Sequence, residues 1–164
     1  MEYLIKKFDL IYIIKLAKKN FKTFFLISYI ELAIIGILLS LLMILFGGLE
    51  HNDIIDENIY ILFIGTLILA PIFETYFFQH LIYKLLKADY KRPNFKKYVI
   101  YSSLGFSFIH IYGFKYIIYA FILGLFLAYF YFVVAQTKKY PFIYTALLHS
   151  LLNLSFIILN EVIF

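Results

Sequence analysis

The sequence predicts an all-α protein, a polytopic membrane helix bundle of about five transmembrane helices with its N-terminus in and its C-terminus out. Three observations predict it. Hydrophobic residues make up 64% of the chain and charged residues 15%, with a mean hydropathy of +0.90. A soluble domain of 164 residues could not hide that much apolar surface in one core. The apolar residues gather in stretches long enough to span, or nearly span, a bilayer of about 30 Å, and the basic residues fall almost wholly on one side of them.

The chain opens with Met1–Lys22, in which six lysines are dispersed among Leu, Ile, Tyr and Phe. That pattern reads as an amphipathic helix on anionic lipid, with a plain basic tail as the competing reading. No A-x-A-like site follows the first span, so the segment is expected to stay uncleaved. The spans are then Phe24–Phe46, Ile59–Tyr83, Tyr98–Tyr112, Phe114–Ala135 and Phe142–Leu159. The third is short and meets the fourth across Gly113, which predicts a tight helical hairpin. Residues 1–58 form an N-terminal unit of basic segment, first span and acidic loop; residues 59–164 form the second unit. The chain has no Cys, which excludes disulfides, thiolate zinc sites and cysteine nucleophiles.

Charge sets the orientation. Fourteen of the fifteen Lys and Arg residues lie in the N-terminal segment, the loop after the second span with its flanks, or the loop after the fourth; Lys115 alone lies opposite. The other side holds Glu50, Asp53, Asp56, Glu57 and Glu161. By the positive-inside rule the lysine-rich side is cytoplasmic. The net charge of +5 therefore reflects membrane topology, and no nucleic-acid partner is expected.

Polar residues inside the spans point to function, because ionisable groups in hydrocarbon are expensive. Glu74 lies ten residues before Lys84, roughly 15 Å along a helix. His110 lies thirteen residues after Lys97, roughly 20 Å; His149 and Asn153 lie ten and fourteen after Lys139, roughly 15 and 21 Å. All four fall in one slab near mid-membrane, which independent packing features would have no reason to share. His149 and Asn153 are four apart and stack on one helix face, as do Phe106 and His110. A Glu, two His and an Asn supply a base, a partner for it and donors for an oxyanion. For His149 or Asn153 alone, an interhelical hydrogen bond would be explanation enough. Glu31, His80, Gly105 and Gly124 are assigned to pairing, the interface and close packing.

These motifs, in order, resemble the CPBP family of CAAX-type and bacteriocin-processing (Abi) intramembrane endopeptidases. Pro71-Ile-Phe-Glu74-Thr-Tyr-Phe-Phe-Gln79 stands where that family has E-E-x-x-x-R, Phe106-Ser-Phe-Ile-His110 matches F-x-x-x-H, and His149-Ser-Leu-Leu-Asn153 matches H-x-x-x-N. The resemblance implies that residues 59–164 are the protease core and that Glu74, His110, His149 and Asn153 are catalytic, with Thr75, Gln79 and Phe106 supporting. Thr75 and Gln79 replace the family's second Glu and its Arg. Both charges are lost together, so none is stranded, and a Thr75–Gln79 hydrogen bond is the expected substitute.

The implied reaction is hydrolysis of a peptide bond in a membrane-associated substrate, prenylated or of bacteriocin type. Glu74 and His110 would activate a water, and His149 and Asn153 would hold the oxyanion. No cofactor is expected; the alternative is zinc on the Glu and two His, disfavoured because H-E-x-x-H is absent and Asn is a poor zinc ligand. Two rivals stand beside the enzyme: a catalytically degenerate immunity or scaffold protein of the same fold, and a proton-relaying transporter, against which the lack of an internal repeat counts. The expected partners are the lipid bilayer and a peptide or protein substrate, in a bacterial cytoplasmic membrane. Oligomeric state is not legible.

Overall fold

The structure, a computed structural model, describes residues 10–46, 59–87, 93–111, 113–137 and 139–163. The acidic loop and most of the basic loop after the second span lie outside these. The described residues form six helices and no strand. They are α1 (Leu10–Lys19), α2 (Phe21–Leu45), α3 (residues 59–87), α4 (Phe95–Phe108), α5 (Phe114–Ala135) and α6 (Pro141–Ile163). Three of them, α2, α5 and α6 through Leu159, are long and apolar enough to cross a membrane.

Helix α5 is the axis. It is apolar all round, which suits only a helix enclosed by others, and its residues Leu127, Ala128, Val133 and Val134 are fully buried. Helices α2, α4 and α6 pack around it. Phe24 of α2 stacks on Phe130 at 5.4 Å between ring centroids. The outward faces carry exposed Leu, Ile and Phe, among them Leu38, Leu45, Phe73, Phe108 and Ile143. Aqueous proteins rarely leave so much apolar surface open; lipid is its natural solvent. The described part of the N-terminal segment is a helix with one apolar face. Its stripe of Leu10, Ile13, Ile14 and Ala17 packs on the bundle, while Ile11 and Tyr12 face outward.

Local chemistry sets the ends. Asn20 caps α2 by accepting from the Thr23 amide at 3.3 Å, and Asn94 caps α4 by accepting from the Lys97 amide at 3.1 Å. Gly113 joins α4 to α5 with φ 147° and ψ 156°, a region essentially closed to residues with a Cβ. The hairpin expected from Gly113 is therefore formed, and α4 and α5 pack along its arms.

Gly124 keeps those arms close. A Cβ there would lie 3.1 Å from the Ser103 Cα, backbone that cannot swing aside. Gly124→Val is expected to destabilise the protein by about 1–3 kcal/mol, read as a lower unfolding temperature in detergent. Gly65→Ala, whose Cβ meets nothing within 4 Å, is expected to be neutral or stabilising by up to about 1 kcal/mol. Equal losses from both would show that helix packing at Gly124 is not the cause.

Candidate active site

Helix α3 is not a regular α-helix. The turns Ile59–Ile64, Ala70–Glu74 and Ile82–Lys87 are α, while Gly65–Leu69 and Thr75–Leu81 are wound as π-helix. Glu74 closes the α-helical turn between the two π stretches, and π turns inside α-helices frequently mark functional sites. The first π stretch has an identifiable cause. Asn153 Nδ2 donates to the Thr66 carbonyl at 2.9 Å and Ser150 Oγ to the Leu67 carbonyl at 2.6 Å. Pro71 has no N–H to offer the Leu67 carbonyl four residues before it, and with both backbone oxygens engaged by side chains of α6 the departure from the i→i+4 ladder is supported.

The same face of α6 reaches Glu74. His149 Nε2 lies 3.7 Å from Glu74 Oε2, with side chains 6% and 17% exposed. That is longer than a direct hydrogen bond and close enough for one small group to touch both. His149 and Asn153 share a helix face as their spacing requires, but they reach different parts of α3. Asn153 is engaged with the Thr66 carbonyl, which leaves its second amide hydrogen unassigned.

His110 departs from its expected setting. Helix α4 ends at Phe108, so His110 sits in the turn beyond it rather than inside a span. Its amide donates to the Ser107 carbonyl at 3.0 Å, and its Nδ1 lies 2.7 Å from the Phe106 carbonyl. A carbonyl can only accept, so Nδ1 carries the proton and Nε2 is left with a lone pair. The Phe106 ring stands between the two imidazoles, 4.6 Å from His110 and 5.6 Å from His149 by ring centroids. It is buried and orders both. Tyr116 closes the far side of His110 at 5.7 Å.

Thr75 and Gln79 are fully buried, but the expected hydrogen bond between them is not formed. Among the described residues neither Thr75 Oγ1 nor either amide atom of Gln79 has a partner. They lie in the second π stretch, whose i→i+5 winding moves side chains off the four-residue overlay of an α-helix. Ser150, Thr145 and the carbonyls of Thr66 and Leu67 were not anticipated. Ser150 and Asn153 are three apart on one helix, and Thr145 precedes His149 by four, so the face was readable even where the partners were not.

Among the described residues no group of three or more His, Cys, Asp or Glu is placed to hold a metal ion. Glu74 and His149 are brought together, with His110 linked to them through Phe106. Residues 56–155 match the family described as Type II CAAX prenyl endopeptidase Rce1-like, a stretch that covers more than half of the chain and all four candidate site residues. No curated protein and no solved structure matches the chain.

Proposed function

Because the chain belongs to the Rce1-like family of type II CAAX prenyl endopeptidases, within the CPBP/CAAX proteases, we propose that it cleaves peptide bonds by a glutamate mechanism centred on Glu74. The observation that carries this reading is the Glu74 carboxylate facing His149 Nε2 at 3.7 Å in a nearly enclosed setting. A water donates one proton toward His110 Nε2, the nitrogen left with a lone pair, and the other to Glu74. The water oxygen attacks the scissile carbonyl as Glu74 takes its proton. His149 Nε2–H and the second Asn153 amide hydrogen donate to the oxyanion. The tetrahedral intermediate collapses, the C–N bond breaks, and Glu74 returns the proton to the leaving amine.

The substrate is read as a membrane-associated peptide or protein, prenylated or of bacteriocin type. Comparative peptidomics of cells carrying wild-type and Glu74→Gln protein would identify it: peptides lost and precursors gained in the variant support the reading, and identical profiles oppose it. The zinc alternative would need Glu74, His149 and His110 to converge further than they do, and metal analysis of the purified protein separates the two. A scaffold or immunity role is favoured by one feature, the loss of both charges at Thr75 and Gln79; it predicts wild-type function in Glu74→Gln.

The protein is integral to a membrane, and we infer five spans: α2, α3, the α4–α5 hairpin as two, and α6. The basic asymmetry supports a cytoplasmic N-terminus and an external C-terminus. With no native Cys, accessibility scanning is direct. A cysteine at Asp53, outside the described residues, should label from the external side; labelling from the cytoplasm alone would overturn the orientation.

A further inference from the structure

Directly beside the Glu74–His149 contact lies a layer of buried polar atoms that nothing among the described residues satisfies. Thr75 Oγ1, Gln79 Oε1 and Nε2, Thr145 Oγ1 and His149 Nδ1 are all shielded and all lack a hydrogen-bond partner. Thr75, Gln79 and Thr145 are 0% exposed. They also fall at one level. Helices α3 and α6 pack antiparallel, with Glu74 opposite His149 and His80 opposite Phe142 at 5.7 Å. Those two contacts bracket residues 75–79 on one helix and 143–148 on the other, so Thr145 lies at the level of the Thr75–Gln79 turn. Thr145 is also one helical turn from His149 on the same face.

Five unsatisfied buried atoms cannot stand as they are, since their summed desolvation would rival the net stability of a whole domain. Their mix of hydroxyls, an amide and an imidazole nitrogen offers donors and acceptors but no net charge. That suits a small neutral ligand able to both give and take hydrogen bonds. Water is that ligand, and a buried water typically makes about three hydrogen bonds to otherwise unsatisfied groups.

We propose that Thr75, Gln79 and Thr145 hold buried water between α3 and α6, and that this water donates to His149 Nδ1, keeping the imidazole proton on Nε2, the nitrogen that faces Glu74. Which imidazole nitrogen carries the proton is set by the hydrogen bond the other makes. The three side chains are positioning residues for His149. Their part in catalysis rests on the hydrolytic role proposed above; the water site itself does not.

Thr145→Val tests it, because valine keeps the shape and removes the hydroxyl. Were Thr145 Oγ1 truly unpartnered, losing it would raise stability or leave it unchanged. Bound to water, its loss should lower the unfolding temperature in detergent by roughly 3 °C, with Thr145→Ser restoring it. In protein labelled with ¹⁵N-histidine, His149 should be protonated at Nε2 in the wild type and shift toward Nδ1–H in Thr145→Val. Peptide cleavage should lose about tenfold in kcat at unchanged KM. An unchanged or higher unfolding temperature, or an unmoved His149 tautomer, would overturn the proposal. If Thr145→Val does not accumulate, Thr75→Val is read in the same way and decides it. Stability and tautomer need no substrate. A shifted tautomer with no cleavage in any variant, wild type included, would therefore sink the hydrolytic reading and leave the water site standing.

Discussion

Glu74→Gln is expected to abolish peptide cleavage, lowering kcat by roughly 10³-fold or more, while the protein still folds and inserts. The change keeps the shape of a side chain held at the end of the Ala70–Glu74 turn and removes only its capacity to take and return a proton, which is worth roughly 10²–10⁴-fold. His110→Ala and His149→Ala should be comparably severe. The first removes the lone pair that orients the water, and the second removes the group nearest the carboxylate. Asn153→Ala should be milder, by roughly 10²–10³-fold, since it removes one of two oxyanion donors. It also frees the Thr66 carbonyl, so some of its loss should appear as reduced stability. Single-turnover cleavage of a reporter peptide in proteoliposomes provides the measurement. Near-wild-type turnover in Glu74→Gln would end the glutamate mechanism. Complete loss in all four variants together with poor expression would mean that these side chains serve packing.

The second large effect is expected at Thr75 and Gln79. Thr75→Glu alone places a carboxyl in a fully buried position next to Glu74, and Gln79→Arg alone strands a cation there; an uncompensated buried charge costs about 3–5 kcal/mol. Each single change should therefore cut both accumulation and cleavage. In the double change Thr75→Glu/Gln79→Arg both side chains are longer than the native pair and can bridge the offset that the π winding introduces, so stability and activity should recover beyond either single variant. A double-mutant cycle on expression and cleavage measures the coupling. Additive losses with no recovery would mean that the two side chains do not meet, and that the correspondence with the family's E-E-x-x-x-R is misplaced at this turn.

Which parts of this arrangement were legible beforehand follows from what each part depends on. The helices, the lipid-facing surface and the Gly113 hairpin follow from local composition and from one glycine whose backbone region excludes a Cβ, so the sequence carries them directly. Glu74, His149 and Asn153 stood out because polar groups are rare at that depth, and the spacing of His149 and Asn153 placed both on one face. The π winding of α3 did not stand out. Its first stretch depends on Pro71, which withholds an amide from the preceding turn, and on Asn153 and Ser150 reaching across to carbonyls of another helix, which no periodicity within residues 59–87 encodes. His110 was misplaced for a related reason. Phe-Ser-Phe-Ile-His is apolar enough to continue a helix, and the early stop after Phe108 is set by the hairpin turn rather than by a breaker at that point. The Thr75–Gln79 bond is absent because four-residue spacing overlays side chains only in α-helical geometry, which this stretch does not have.

The shortness of α4 carries a consequence for the surrounding lipid. Its 14 residues rise only about 21 Å, against a hydrocarbon thickness of about 30 Å, and one face, with Ile100, Tyr101, Leu104 and Phe108, is open to the outside. Its neighbour α5 has 22 residues, about 33 Å. Ser103 lies against Gly124 and Phe95 beside Phe132, so most of the shortfall lies at the Gly113 end, where α4 stops at Phe108 below the start of α5 at Phe114. Acyl chains against that face must shorten, tilt or give way to headgroups, at a fraction of a kcal/mol per Å of mismatch. With α4 as one of the five inferred spans, the bilayer would be pinched along one flank of the protein, and the free energy of that pinch would rise with acyl-chain length. Membrane thickness would thereby enter the energetics of the fold as an external variable, acting on the helix that leads into the turn holding His110.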